Sequence, residues 1–313
     1  MELPFEIRNK IQEMCAGVDA KTLSKSAERL SENYRAESPQ GKRSASAKSD
    51  IAAYCAVRMP ATFAAVSRAL ELALECFDGE INSVLDVGAG TGAGAIAARI
   101  LTNCDEITLI ERERNMIDAG RQFMECMGIN GYWIERDITN GIPARADLVI
   151  CSYCLNELPE SRRKAVAEQL AESAEKMLVI VEPGTPNAFA SMLKTRSELI
   201  ASGLTVVAPC PNVGECPLLN GDWCHFSARA ARSKLHKQLK NADVPYEDEK
   251  FCFLAVTREG ANPCGFRILR RPIIQPGRIT LKLCGENGVL TETVTKSNPK
   301  FKTARKANVG DVY

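Results

Sequence analysis

No apolar run in this 313-residue chain approaches the ~20 residues that a helix needs to cross a bilayer, so a helical membrane span is excluded. Net charge is also scarce. Forty Lys and Arg stand against 39 Asp and Glu, a formal +1. No global field draws the chain to nucleic acid, and any such attraction must be local. The first residues, MELPFEIRNKIQEMC, contain no secretory apolar core and are not an Arg-rich, acid-free transit sequence. A bacterial-type cytoplasmic location is therefore expected, with the mitochondrion as the alternative. Histidine occurs only twice, so His225, beside Cys224, is expected to serve a structural or RNA-facing role rather than as a metal ligand. What remains is ordinary for a globular protein, 45% hydrophobic and 25% charged residues. A monomer is expected.

Residues 1–80 read as helices that cap the following domain. A polar loop at 38–49 carries Lys42, Arg43 and Lys48, three cations placed to meet phosphates. A long helical pattern then runs from Asp50 to Cys76 and should kink or restart at Pro60. From 82 to 183 strands and helices alternate. Strands are expected at 83–87, 106–111, 132–135, 146–152 and 176–181, with helical patterns between them and another at 187–202. This alternation predicts a parallel sheet covered on both faces, an α/β fold.

The first half carries its chemistry in LDVGAGTGAG, residues 85–94. Asp86 ends a strand, and Gly88, Gly90 and Gly92 lie in the turn into a helix. Glycines admit close approach of a ligand to the backbone, and a helix N-terminus offers free N–H groups. Glu111 closes the second strand, placed to accept from ribose hydroxyls. Asp137 follows the third, where an acid can meet an adenine amino group. This set resembles the cofactor site of class I S-adenosylmethionine methyltransferases more than that of dehydrogenases. After the fourth strand the double proline of many amino-methylating enzymes is missing. That place reads CSYCLNELP, residues 151–159. Asn156 and Glu157 are suited to orienting a substrate, and equally to capping a helix. Ala208-Pro209-Cys210 looks like the nucleophile motif of cytosine-C5 RNA methyltransferases, but it stands at the wrong strand. No catalytic base is assigned.

Thirteen cysteines, an odd number, suit thiols and metal better than a disulfide framework. Cys55, Cys76, Cys151, Cys154 and Cys252 lie in apolar runs and read as core residues. Cys210, Cys216 and Cys224 instead lie among Pro and Gly in VAPCPNVGECPLLNGDWCHF, residues 207–226, and read as ligands. The zinc spacings C-x2-C and C-x4-C are absent from this loop, which favours an iron–sulfur cluster and leaves zinc as the alternative. Residues 227–240 read as a basic helix bearing Arg229, Arg232 and Lys237. Residues 249–258 and 264–270 look like a closing antiparallel hairpin, which places the cysteine loop before the sixth strand. The tail, 266–308, holds ten Lys and Arg, Arg270, Arg271, Arg278 and Lys282 among them, against Glu286 and Glu292. Such dense positive charge beside β structure suggests contact with nucleic-acid phosphates.

Several local motifs point the same way. They are RMPAT at 58–62, the glycine turn, VEPGTP at 181–186, C-P-x4-C-P followed by WCHFS, and the R-R-P…L-K-L-C tail. Together they resemble the methyltransferase-like family associated with the small subunit of the mitochondrial ribosome, the Rsm-twenty-two group, which has bacterial members. The resemblance spans nearly the whole chain. It implies an S-adenosylmethionine-type fold, binding of small-subunit rRNA during ribosome assembly, and a 4Fe–4S cluster on four cysteines. Cys210, Cys216 and Cys224 match the first three ligands. Cys284 is expected as the fourth, with Cys264 as its rival. Three domains follow: a helical region at 1–80, a methyltransferase-like domain at 81–271 with a cysteine-rich insertion at 207–227, and a basic β extension at 272–313. Three functions stand open: an rRNA methyltransferase, a non-catalytic assembly factor, and a small-molecule methyltransferase, against which the basic tail argues.

Overall fold

The computed structural model describes residues 2–35, 47–212, 214–218, 221–240, 242–259 and 265–313. Lys42, Arg43 and Cys264 lie outside the described residues. Four helices lead the chain: α1 (Phe5–Ala16), α2 (Ala20–Arg35), α3 (Lys48–Val57) and α4 (Met59–Leu74). The break between α3 and α4 falls at Arg58, and Pro60 sits in the first turn of α4. A proline there gives up an N–H that has no partner within the helix, so the pattern restarts instead of kinking. Twelve of the sixteen residues of α4 are buried, while Arg68 and Glu71 reach partly into solvent.

The main sheet contains β1 (Ser83–Val87), β2 (Glu106–Glu111), β3 (Gly131–Glu135), β4 (Ala146–Ser152), β5 (Ala174–Pro183), β6 (Thr205–Ala208), β7 (Phe226–Ala231) and β8 (Tyr246–Thr257). Their order is β3-β2-β1-β4-β5-β8-β6, with β7 also on β8. The first five are parallel, and β8 runs antiparallel to β5, β6 and β7. Helices α5 (Ala93–Thr102), α6 (Arg114–Cys126), α7 (Glu160–Ser173) and α8 (Pro186–Ala201) connect the parallel strands and lead on to β6. β4 is buried at six of its seven positions, which explains its uninterrupted apolar run. This is an open, doubly wound α/β sheet with one antiparallel strand, β8, set between β5 and β6.

Two expectations fail in the second half. Residues 226–231 form β7, not the start of a basic helix, because pairing with β8 and burial of alternate residues override the helical propensity of its alanines. Only α9 (Lys234–Leu239) is helical there. The expected hairpin between 249–258 and 264–270 does not form either. β9 (Arg267–Ile268) pairs with β11 (Arg278–Gly285) in a second sheet, beside β10 (Ile273–Gln275) and β12 (Gly288–Thr295). The cysteine loop consequently follows β6 and precedes β7. A small core of Ile268, Ile279, Leu281, Leu283, Val294 and Ala304 fills the second sheet, closed by α10 (Phe301–Lys306).

Candidate functional site

The order of the parallel strands reverses between β1 and β4, and the loops leaving these two strands meet at that crevice. In open α/β sheets ligands bind at such a switch point. After β1 the chain turns through Gly88, Gly90 and Gly92, with φ of 70°, 55° and 81°. L-residues with side chains rarely adopt these values. At Gly88 a Cβ would also come within 2.6 Å of Cys154 Sγ, so the two loops are fitted against each other. Asp86 is fully buried; its Oδ2 accepts from Ala95 N–H at 2.8 Å, while Oδ1 has no partner. Burial pushes its pKa up to about 7.

Glu111, at the end of β2, accepts from Gly90 N–H at 2.8 Å through one oxygen. The other oxygen accepts from the N–H groups of Arg112 and Glu113 at 2.8 and 2.9 Å. It therefore ties the glycine turn to the strand whose acid was expected to meet a ribose. Asp137 is half-buried after β3 and accepts from Thr139, with Arg112 3.6 Å away. The hydrogen bonds from Thr139 hold its carboxyl below the usual range. Asp86, Gly88, Gly90, Gly92, Glu111 and Asp137 thus come from the carboxyl ends of three adjacent strands and the turn after the first.

The loop after β4 faces this turn. Tyr153 has a left-handed φ of 55° and donates to Glu249 at 3.1 Å; Arg58 pairs with the same carboxylate at 3.3 Å. Residues that hold strained backbone often stand at functional sites. Glu182, at the end of β5, accepts from Leu155 N–H at 2.8 Å and from the Asn156 amide at 3.0 Å. Burial raises Glu182 to about 8 and Glu157 to about 7. Asn156 and Glu182 are thus spent on each other. The sequence marked Glu182 only as part of the VEPGTP motif at 181–186.

A second site lies on the other side of β5 and β8. Cys210, Cys216, Cys224 and Cys284 line one cavity of about 40 Å³, and Cys252 on β8 joins them. The first three come from the loop between β6 and β7, and Cys284 from β11. Burial raises the thiols of Cys210 and Cys224, and Cys284 to about 12, and the sulfurs raise one another further. Among the described residues no group of three or more His, Cys, Asp or Glu side chains is arranged to hold a metal ion. His225 stacks on Trp223 at 5.1 Å and is not part of the cavity lining. Two buried arginines, Arg196 and Arg267, do line it, and nothing in their local sequence signalled this. Cys76, expected as a core thiol, is disulfide-bonded.

The tail is docked to the cysteine loop. Asp222 accepts from Arg270 and, at 2.8 Å, from Lys282. Asn212 donates to Gly285 O at 3.3 Å, and Trp223 Nε1 donates to Gly184 O at 3.0 Å. Several cations expected to meet RNA are therefore engaged within the protein. Arg229 forms two bonds to Asp248, at 2.8 and 2.9 Å, and stacks 3.8 Å from the Tyr246 ring centre. Arg232 and Lys240 both reach Glu247 at 3.0 Å in a largely buried cluster. Burial opposes ionisation of Glu247, but these donors and nearby His236 hold its pKa far below the carboxylate range. Lys237 is half-buried, Arg271 is exposed, and Arg278 donates to Gln275. Lys296, Lys300, Lys302, Arg305 and Lys306 are all exposed. Among the described residues none of these five pairs with a carboxylate; Lys300 lies 4.6 Å from the Tyr313 ring. Their spacing signalled the patch only as part of the tail's total charge. No described helix is long and apolar enough to cross a membrane.

A family model described as mitochondrial small ribosomal subunit Rsm22 matches residues 48–313. A search of curated proteins returns no match. Among solved structures, magnesium protoporphyrin IX methyltransferase from Synechocystis PCC 6803, with bound SAH, is 14% identical at a TM-score of 0.43. The match covers 65% of this chain and 85% of that one. The plantazolicin methyltransferase BpumL in complex with SAH is 14% identical at a TM-score of 0.45, over 81% and 99%. The N-methyltransferase NodS from Bradyrhizobium japonicum WM9 in complex with SAH is 13% identical at a TM-score of 0.41, over 62% and 86%.

Proposed function

The chain belongs to the mitochondrial small ribosomal subunit Rsm22 family, and from that premise we propose that it binds small-subunit rRNA during ribosome assembly, with S-adenosylmethionine in the crevice between β1 and β4. The observation that carries this reading is the glycine turn held to Glu111 at the switch point. Gly88, Gly90 and Gly92 let the methionine part approach the backbone, Glu111 takes the ribose hydroxyls and Asp137 the adenine amino group. When bound, the cofactor supplies an activated methyl group. The chain's own residues position it: Glu182 fixes the 155–156 backbone, and Tyr153 with Glu249 closes the far side. A labelled-methyl assay on small-subunit rRNA, paired with crosslinking, tests the reading. Crosslinks with methyl transfer support an enzyme, crosslinks without transfer support an assembly factor, and absence of both defeats RNA binding. The mutual engagement of Asn156 and Glu182 favours the assembly factor, since it leaves those groups bonded to each other instead of to a substrate.

The same proposal places a 4Fe–4S cluster on Cys210, Cys216, Cys224 and Cys284. Support comes from four thiols of two chain segments lining one cavity, with two buried cations beside them. Soft thiolates suit iron–sulfur chemistry, and zinc is the alternative. The cluster would add a covalent tie between loop and tail to the ion pairs at Asp222. The RNA contact is assigned to Arg271 and Arg278, with Lys296, Lys300, Lys302, Arg305 and Lys306 on the same basic tail. The family description is mitochondrial; a bacterial-type cytoplasm is the alternative, and fractionation of cells producing the tagged chain decides between them.

A further inference from the structure

Two arginines occupy positions where an apolar core ordinarily holds none. Arg196 on α8 is 5% exposed and Arg267 on β9 is 1% exposed. Arg196 donates to Gly214 O and Asn212 O, each at 2.9 Å, and its Nε is buried without an acceptor. Arg267 donates to Pro209 O at 3.1 Å, Gly310 O at 2.7 Å and Cys76 Sγ at 3.3 Å. These partners carry no full negative charge. Among the described residues neither arginine forms an ion pair with a carboxylate; the exposed Glu75 acts on Arg267 only through space. A buried cation is costly unless negative charge faces it.

The groups able to supply that charge line the same cavity. As neutral thiols, the four cysteines leave both guanidiniums uncompensated. When metal replaces the thiol protons, the thiolates become the missing anions, and a cluster on four thiolates carries net negative charge. The anchoring is also specific. Asn212 and Gly214 lie between Cys210 and Cys216, and Pro209 immediately precedes Cys210, so the two guanidiniums hold the segment that presents the first two sulfurs. Arginine suits this role better than lysine, because its planar fork binds two carbonyls while its charge stays fixed.

We propose that Arg196 and Arg267 are the counter-charges of the tetrathiolate site, retaining its iron–sulfur centre and setting that centre's reduction potential. This inference rests on the cluster reading above. The test uses the full chain purified anaerobically, as wild type and as Arg196→Gln, Arg267→Gln, Arg196→Lys and Arg267→Lys. Iron per chain is measured, together with the midpoint potential in a dye-mediated dithionite titration, in which the cluster gains one electron and no proton moves. Removing a nearby positive charge disfavours the reduced, more negative form. Each Gln variant should shift the reduction equilibrium at least tenfold toward the oxidised form, a fall of about 59 mV for a one-electron couple. The Lys variants, which keep the charge, should restore most of that shift. If Arg267→Gln does not fold, the Arg196 pair decides, because Arg196 lies on α8 and its carbonyl acceptors among the described residues are in the loop, not in a sheet. Gln variants with wild-type iron content and potential overturn this inference and leave the cluster reading standing. A wild-type chain without iron overturns both.

Discussion

The crevice between β1 and β4 and the thiol cavity lie on either side of the β5–β8 ladder, and they are assembled in opposite ways. The crevice draws its groups from strand ends and the turns beside them, so it forms as the parallel sheet forms. The cavity draws on α8, the loop between β6 and β7, β8, β9 and β11, with Arg196 and Cys284 88 residues apart. It exists only once the tail has docked. Local geometry builds the first site, whereas long-range docking builds the second, and there metal binding and folding should be one event.

That contrast can be broken most sharply at Cys284. Cys284→Ser should lower iron content and visible absorption at least tenfold while S-adenosylmethionine affinity, measured by calorimetry, stays within about twofold. Equal losses at both sites would abolish the distinction. The reciprocal change is Gly88→Val. With φ at 70° and Cys154 Sγ 2.6 Å from the new Cβ, cofactor affinity should fall at least tenfold and stability by about 1–3 kcal/mol, with iron retained. On the tail, replacing Lys300, Lys302, Arg305 and Lys306 by Gln should weaken RNA binding and flatten its dependence on salt, by about 0.7 in log–log slope for each phosphate no longer neutralised. Arg232→Gln should instead lower the melting temperature and leave that slope unchanged, because it strips a donor from the buried Glu247 cluster.

A pH-dependent effect concerns Glu182. Its folded pKa of about 8 exceeds its ordinary 4.5, so the folded protein holds the proton more tightly. The stabilisation is fully present below pH 4.5 and is lost as pH rises toward 8, at up to about 1.4 kcal/mol per unit. Cofactor-free Glu182→Gln should show a flatter denaturation profile across that window. An unchanged profile would mean that the carboxyl is already ionised.

Much of the crevice was legible in the sequence because its information is local. An apolar run, a glycine turn and a terminal acid announce a βα unit within about 25 residues, and β1 to β5 appear where that pattern puts them. The basic residues were legible only as charge. Asp222 lies 48 and 60 residues from Arg270 and Lys282, so no sequence window shows that these cations are neutralised. β7 was misread because alanine favours helices in isolation, and only its partner on β8 makes it a strand. Arg196 gave no sequence signal, because the loop that covers it has no regular period.

The indole of Trp223 donates to the carbonyl of Gly184, two residues beyond Glu182, and Cys252 stands directly across the ladder from Glu182. The loop that presents the sulfurs is therefore latched to the exit of the strand whose carboxyl positions the backbone opposite the glycine turn. If slack on one side of that strand passes to the other, loss of the proposed cluster should also loosen the hold on the proposed nucleoside a little.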